Sequence, residues 1–404
     1  MTTPATMNLA AAHAAPTWRR ATIVLLCCAS LAGCGTVRGW FGGGAKQKPS
    51  EPAALTEFAP SATPAKIWGA KLGKGEGRVG ARQGPAVADG RVYAAAAGGV
   101  VRALDLQTGA TLWQYQSDLR LTGGPGVGDG LVVAGSLEGD VVALDAASGA
   151  LRWTAKVNNE VIAAPAIGQG LVLVRSNDGR VSAFDAQNGE RRWFWNHDLP
   201  ALTVRGNDAP LLAPGFVFVG NDDGTLSALQ ISDGRPLWEL PVAPPEGRSE
   251  LDRMADIDGT PALDGTTLYA SSYKKHTMAI DGPSGRPMWA SDHGGAGRVG
   301  VASDRVVVSD PAGVVWALDK TSGSAFWQQD KLARRNLSAA AVHGDYALVA
   351  DFDGYLHWLR LDNGEFAARA RAGRSPVRAA PVVSGGIALV QNIDGDLSAW
   401  RIAE

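Results

Sequence analysis

Cysteine is scarce in this chain: of 404 residues only Cys27, Cys28 and Cys34 carry a thiol, and nothing beyond position 34 does. A disulfide framework for the body of the protein is thereby excluded. Charge of one sign is missing too. Thirty-eight basic against forty acidic residues give a net charge of −2, with no basic stripe of the kind nucleic-acid binders present, so no nucleic-acid partner is expected. No apolar run is long enough to span a bilayer: the best, ATIVLLCCASLAG, has 13 residues where about 20 are needed. Catalytic and metal motifs are equally absent. His197, His276, His293, His343 and His357 lack zinc-ligand spacing, and there is neither a phosphate-cradling glycine loop nor a nucleophile elbow. What the chain does have is turn-forming residues, 51 glycines and 22 prolines, the composition of a globular protein rich in short loops.

The first 33 residues read as an address. Arg19 and Arg20 precede the apolar run, and Ala32 and Gly33 lead into Cys34, the anatomy of an export signal. LAGC resembles a bacterial lipobox. That resemblance implies cleavage before Cys34, acylation of its thiol and of the new amino group, and, with Gly35 rather than aspartate next, sorting to the outer membrane with the protein facing the periplasm. An ordinary secretory signal with an incidental cysteine is the alternative. Residues 34–64, with Gly42–Gly44 and prolines at 49, 52, 60 and 64, are too poor in apolar residues to build a core and are expected to form a flexible tether.

Residues 65–404 repeat. ALDLQTGATLW (103–113), ALDAASGALRW (143–153), AFDAQNGERRW (183–193), ALQISDGRPLW (228–238), AIDGPSGRPMW (279–289) and ALDKTSGSAFW (317–327) share one pattern, and their tryptophans are spaced by 40, 40, 45, 51 and 38 residues. A period of this length marks a propeller or solenoid. Within each unit, short alternating runs separated by glycine turns read as four strands. The aspartate four residues before the glycine is expected to cap the turn, and the tryptophan to fill space between sheets. A seventh unit has Arg360 and Ala368 in the aspartate and tryptophan slots. The eighth stops at LSAWRIAE, one strand short. AKIWGAKL (65–72), with Trp68 lying 45 residues before Trp113, supplies the missing strand. The expectation is an all-β, eight-bladed β-propeller of four-stranded antiparallel blades, closed by pairing the N- and C-terminal strands.

The repeat resembles the PQQ-type propellers, which include quinoprotein dehydrogenases. In those, the resemblance implies an axial quinone, calcium, an aspartate base and commonly a vicinal disulfide. Here no cysteine pair remains, and neither a cofactor nor enzymatic activity is expected. Lipobox, linker and short-looped blades together are more similar to the BamB family of outer-membrane assembly factors. This likeness is carried by DLPALTVRGNDAP (198–210), SELDRMADIDGTP (249–261) and DGYLHWLRLDNGEF (353–366), which the repeat itself does not require.

The resemblance to that family implies that the first two segments dock on a periplasmic POTRA domain of the barrel insertase BamA, within a complex containing other Bam lipoproteins. Leu202, Val204 and Arg205 in one segment and Asp256 and Asp258 in the other take the partner-binding positions. Val204 stands where leucine is common, and Gly259 where threonine is common. Physical reasoning favours the same patch, since loops on a rigid scaffold carry binding residues and arginine beside apolar side chains suits an interface anchor. The alternative is structural: Leu202 and Val204 continue the core, and Arg205 pairs with Asp256 or Asp258. Direct contact with unfolded outer-membrane clients through an exposed strand edge, and polymer binding in the central funnel, are further readings. Replacing Cys34 by Ala is expected to move the protein from the membrane to the soluble periplasmic fraction. Unchanged recovery with the membranes would rule out a lipid anchor.

Overall fold

Most hairpins in the chain close at a glycine, with Lys275 at φ +69° in the glycine's place in blade five, and the computed structural model shows why. It describes residues 50–77, 79–203, 209–295 and 297–403. The repeated turn glycines 109, 149, 189, 234, 285, 323 and 364 all have φ between +69° and +75°, a region where side-chain-bearing residues are strained. Asp105, Asp145, Asp185, Asp281 and Asp319 accept backbone N–H bonds inside these turns. At the second hairpin of most units, glycines such as Gly179, Gly224, Gly354 and Gly395 have φ between +75° and +85°. There the glycine alone takes positive φ, and the preceding aspartate does not.

Among the described residues, 32 strands form eight four-stranded antiparallel sheets. Blade one runs Ala86–Ala88, Arg91–Ala96, Val100–Asp105, Thr111–Gln116 from the axis outward. Blades two to seven follow the same order along the chain. Blade eight is composite: Val382–Ser384, Ile387–Gln391 and Asp396–Ala403 come from the C-terminal end, and its outer strand is Thr63–Lys71. The closing register pairs Trp68 with Ala399 and Lys71 with Asp396, so the expected N-to-C closure is present.

The same register recurs around the ring. Ala103 faces Trp113, Ala143 faces Trp153, Ala183 faces Trp193, and Ala228, Ala279 and Ala317 face Trp238, Trp289 and Trp327. Each outer strand is bulged just beyond that pair. A small residue under a large one lets the indole lie flat and reach sideways. It does so onto the next blade: Trp113 Nε1 donates to the Ala146 carbonyl at 3.0 Å, Trp153 to Ala186 at 3.0 Å and Trp193 to Ile231 at 2.9 Å. Trp68 likewise donates to Leu106 at 2.9 Å, linking blade eight to blade one. The indole lies over the next blade's turn glycine. A Cβ on Gly149 would sit 2.6 Å from the Trp113 ring, and one on Gly109 would sit 2.6 Å from Trp68. The turn glycine thus serves both the backbone and the interblade contact.

Blade seven breaks this rule in a compensated way. Ala368 occupies the tryptophan slot, as the sequence shows, but its partner across the strands is Trp358: large and small have changed places. Trp358 is completely buried and packs against Trp400 of blade eight, with ring centroids 6.3 Å apart. Its Nε1 donates to His343 Nδ1 at 3.1 Å, and His343 Nε2 in turn donates to the Gly386 carbonyl of blade eight at 3.0 Å. Burial holds the His343 pKa below its ordinary value, which keeps the ring neutral and able to accept from the indole. This relay replaces the single indole bond used elsewhere.

Residues 53–62, expected to belong to the tether, instead lie along blade seven. The Ser61 and Ala62 amides donate to the Ala367 carbonyl, and the Ala53 amide donates to that of Ala333. Phe58 stacks on Phe366 at 5.2 Å. Arg369 donates to the Thr56 carbonyl and Arg335 to that of Ala53, each at 3.0 Å. Both arginines are held from below. Arg335 Nε meets Asp351 Oδ2 at 2.7 Å, Asp351 accepts from His357 Nε2 at 3.0 Å, and His357 Nδ1 accepts from Arg369 Nε at 3.2 Å. Burial depresses the His357 pKa, with Asp351 opposing, so the imidazole is neutral. The composition of this segment, poor in apolar residues, suggested a flexible tether. It did not show that a groove on blade seven would receive Phe58.

Deleting residues 65–72 is expected to abolish cooperative unfolding or lower the midpoint sharply, and Trp358→Ala to cost about 3–5 kcal/mol by urea titration. A wild-type midpoint for either variant would contradict this account of closure and of the seventh blade.

Candidate functional site

The two irregular connections come together. Between blades three and four, and between blades four and five, the chain leaves the repeat, and the Ala209 amide donates to Thr260 Oγ1 at 3.2 Å, tying the end of one connection to the end of the other. In the second connection a single helical turn, Glu250–Arg253, forms because Ser249 and Asp252 cap each other. The Ser249 hydroxyl accepts from the Asp252 amide, and the Asp252 carboxylate accepts from the Ser249 amide, both at 3.2 Å. These bonds hold the Asp252 carboxyl below its usual range. The turn buries none of its side chains. Leu251 is 66% exposed, and Leu199 and Leu202 of the first connection are 43% and 48% exposed. Three large apolar side chains are thus exposed to water on two loops that are joined to each other.

Of the five partner-binding positions expected from sequence, Leu202 is at the surface, whereas Val204 and Arg205 lie outside the described residues. Asp256 and Asp258 are buried beneath the loop, with Asp256 wholly inaccessible. Their backbone is stitched to neighbouring blades: the Tyr273 amide donates to the Asp256 carbonyl, and the Ile257 amide donates to that of Asn221. Nearby, Arg175 and Asp222 make a buried ion pair at 3.0 Å. Gly259 has no room for a side chain, since a Cβ there would come within 2.2 Å of the Gly297 backbone. Threonine at this position would require the adjoining loop to shift. Leu199 and Leu251 were not singled out from sequence. The available signal was an isolated leucine in a loop otherwise rich in proline and charge.

Asp258 is electrostatically the most unusual residue of the site. Among the described residues no donor reaches either of its carboxylate oxygens. Burial, with Asp256 and Asp222 close by, pushes its pKa up to about 7, and Arg82 and Arg175 offset only part of this. A carboxyl of this kind is protonated through much of the range in which an ordinary aspartate is charged. It also lines the mouth of the axial funnel, a cavity of about 660 Å³ formed by the loops leading into the inner strands of the blades. Among the described residues no cluster of three metal-ligating side chains occurs.

Fold and loops together define a closed eight-bladed propeller of the PQQ-like repeat class, with two irregular loops joined to each other. The comparisons narrow this class. A family model described as outer membrane protein assembly factor BamB matches residues 60–120, 97–329 and 311–404, and the chain belongs to that family. A BamB of Xanthomonas campestris pv. campestris is 59% identical over 399 residues, covering 96% of this chain and 98% of the relative. One from Pseudomonas aeruginosa is 43% identical over 387 residues, covering 95% and 99%. The crystal structure of BamB from Moraxella catarrhalis superposes with a TM-score of 0.77 at 28% identity, over 84% of this chain and all of that one. A europium-containing methanol dehydrogenase, at 14% identity and TM-score 0.67, over 84% of this chain and 93% of that one, shares the fold alone.

Because the folded state raises the Asp258 pKa from an ordinary value near 3.8 to about 7, it retains a proton that the unfolded chain releases. Stability from this group is therefore full below pH 4 and is lost as the pH rises to 7, by up to about 1.4 kcal/mol per pH unit. Asp258→Asn is expected to lack this slope and to gain on wild type progressively between pH 4 and 7. Parallel stability curves for the two proteins across that range would refute the assignment.

Proposed function

We propose that this chain is a non-enzymatic scaffold lipoprotein of outer-membrane β-barrel assembly, held by acylated Cys34 in the outer membrane and facing the periplasm. It docks on a POTRA domain of BamA through the surface formed by residues 198–210 and 249–261. The observation carrying this reading is the pair of joined connections presenting Leu199, Leu202 and Leu251 to solvent on a chain of the BamB family. Rigid blades on either side fix the loops, so that binding orders few additional groups and less entropy is lost. In this reading Asp256 and Asp258 act from beneath: they shape the second connection and set the field in which Arg205 meets the partner. Other Bam lipoproteins join the same complex through BamA, and unfolded clients meet the ring at its exposed outer strands.

The dehydrogenase alternative is supported by likeness of fold alone. A polymer-binding funnel would call for several aromatic side chains at its mouth, and among the described residues lining it Tyr273 is the one aromatic.

Leu202→Ala and Arg205→Ala are each expected to weaken binding to the isolated POTRA region by about 2 kcal/mol in a calorimetric titration, with melting temperatures within a degree or two of wild type. If binding instead falls only in proportion to lost folded protein, the segment is structural and the docking assignment fails. Coupling between Arg205 and Asp258 in a double-mutant cycle is expected if the aspartate orients the arginine.

A further inference from the structure

The axial funnel carries a second feature, independent of the docking loops. Its wall is built from one equivalent position per blade, two residues before the inner strand begins. Seven blades place glycine, alanine or threonine there, as at Gly84, Ala164 and Thr260, and blade six places Arg298. Small residues keep the funnel wide at this level, and Arg298 projects into the space they leave. The guanidinium makes no hydrogen bond or ion pair with any described residue, although it reaches the water of the funnel. The side chain is exposed within the funnel, the wall around it displaces part of its hydration and lowers its pKa, and no carboxylate among the described residues pairs with it.

Among the described residues, the other acids at the funnel are already engaged or directed elsewhere. Asp310 faces Lys275 at 3.7 Å. Glu76, near Arg378, accepts from the Gln83 amide at 3.2 Å. Asp258, whose charged form burial disfavours, lies in the field of Arg82 and Arg175. Arg82 and Arg378 line the same cavity, so three guanidinium groups converge on a volume in the range of small-molecule sites. Ile162, Leu337 and Val382 supply apolar wall between them.

An exposed guanidinium with no counter-charge among the described residues is open to an anion from solution, and its planar fork matches the two oxygens of a carboxylate or phosphate. We propose that the funnel is a binding site for a small oxyanionic ligand, a carboxylate or phosphate carried on a partly apolar body, with Arg298 as the residue that engages the anionic group and Arg82 and Arg378 as contributors to the attracting field.

The test uses the full mature chain, titrated with sodium phosphate and separately with sodium citrate against sodium chloride at matched ionic strength, followed by melting temperature and by the NMR shift of the arginine Nε–H groups. Saturable stabilisation by phosphate or citrate, with the dissociation constant weakened at least tenfold in Arg298→Ala and partly restored in Arg298→Lys, is the expected result. The anion that saturates identifies the class of ligand. Arg298→Ala should also melt at or above the wild-type temperature in anion-free buffer, because it removes an uncompensated charge. Equal stabilisation by chloride, no saturation with either anion, or an unchanged response in Arg298→Ala would each overturn the proposal.

Discussion

The ring depends on one contact repeated from blade to blade: an outer-strand indole lying on the next blade's turn glycine and donating its N–H to a carbonyl in that turn. An indole buries a large apolar area but must satisfy its N–H when buried, and a carbonyl at the turn, already outside the strand ladder, is the available acceptor. The alanine opposite the tryptophan and the positive-φ glycine beneath it follow from the same geometry. One supplies depth and the other removes a Cβ that would collide with the ring. The repeat signature is therefore a description of the seam between blades more than of any blade alone.

This explains why the exception falls in blade seven. Its successor, blade eight, has no hairpin turn between its last two strands, because the chain ends at that point and the outer strand arrives from the other terminus. A tryptophan at position 368 would have no turn to lie on. The bulk moves across the strand pair to Trp358, the polar link runs through His343 to Gly386, and the arriving segment with Phe58 covers the outside. Loss of the aspartate and tryptophan at positions 360 and 368 thus marks the seam where the circle was joined.

Most of the architecture was legible in the sequence because it is periodic: strand count, turn chemistry and closure all follow from spacing and residue type. The candidate site was legible only in outline. That the segments at 198–210 and 249–261 depart from the repeat could be read directly, but burial of Asp256 and Asp258 could not. Their surroundings come from Arg175, Asp222 and Arg82, which belong to three other stretches of chain. The packing of residues 53–62 was hidden for the same reason, since its partners Arg335, Arg369 and Phe366 lie some 300 positions away. Arg298 is conspicuous only when the inner-strand lead-ins of all eight blades are aligned in space. Local pattern reports what a residue does for its own hairpin, and these residues act between hairpins.

Closure by terminal strands also imposes an order in time. Lys71 pairs with Asp396, so the final blade joins segments separated by more than 300 residues, a loop whose closure entropy is about 5 kcal/mol. Seven blades can assemble from neighbouring hairpins as the polypeptide is made, while the strand needed to complete the eighth has been waiting since the beginning. Until the last strand arrives, the early strand and the late sheet each present an unpaired edge, the kind of surface that pairs with other chains. Folding of the whole ring is thus timed by the arrival of its final residues.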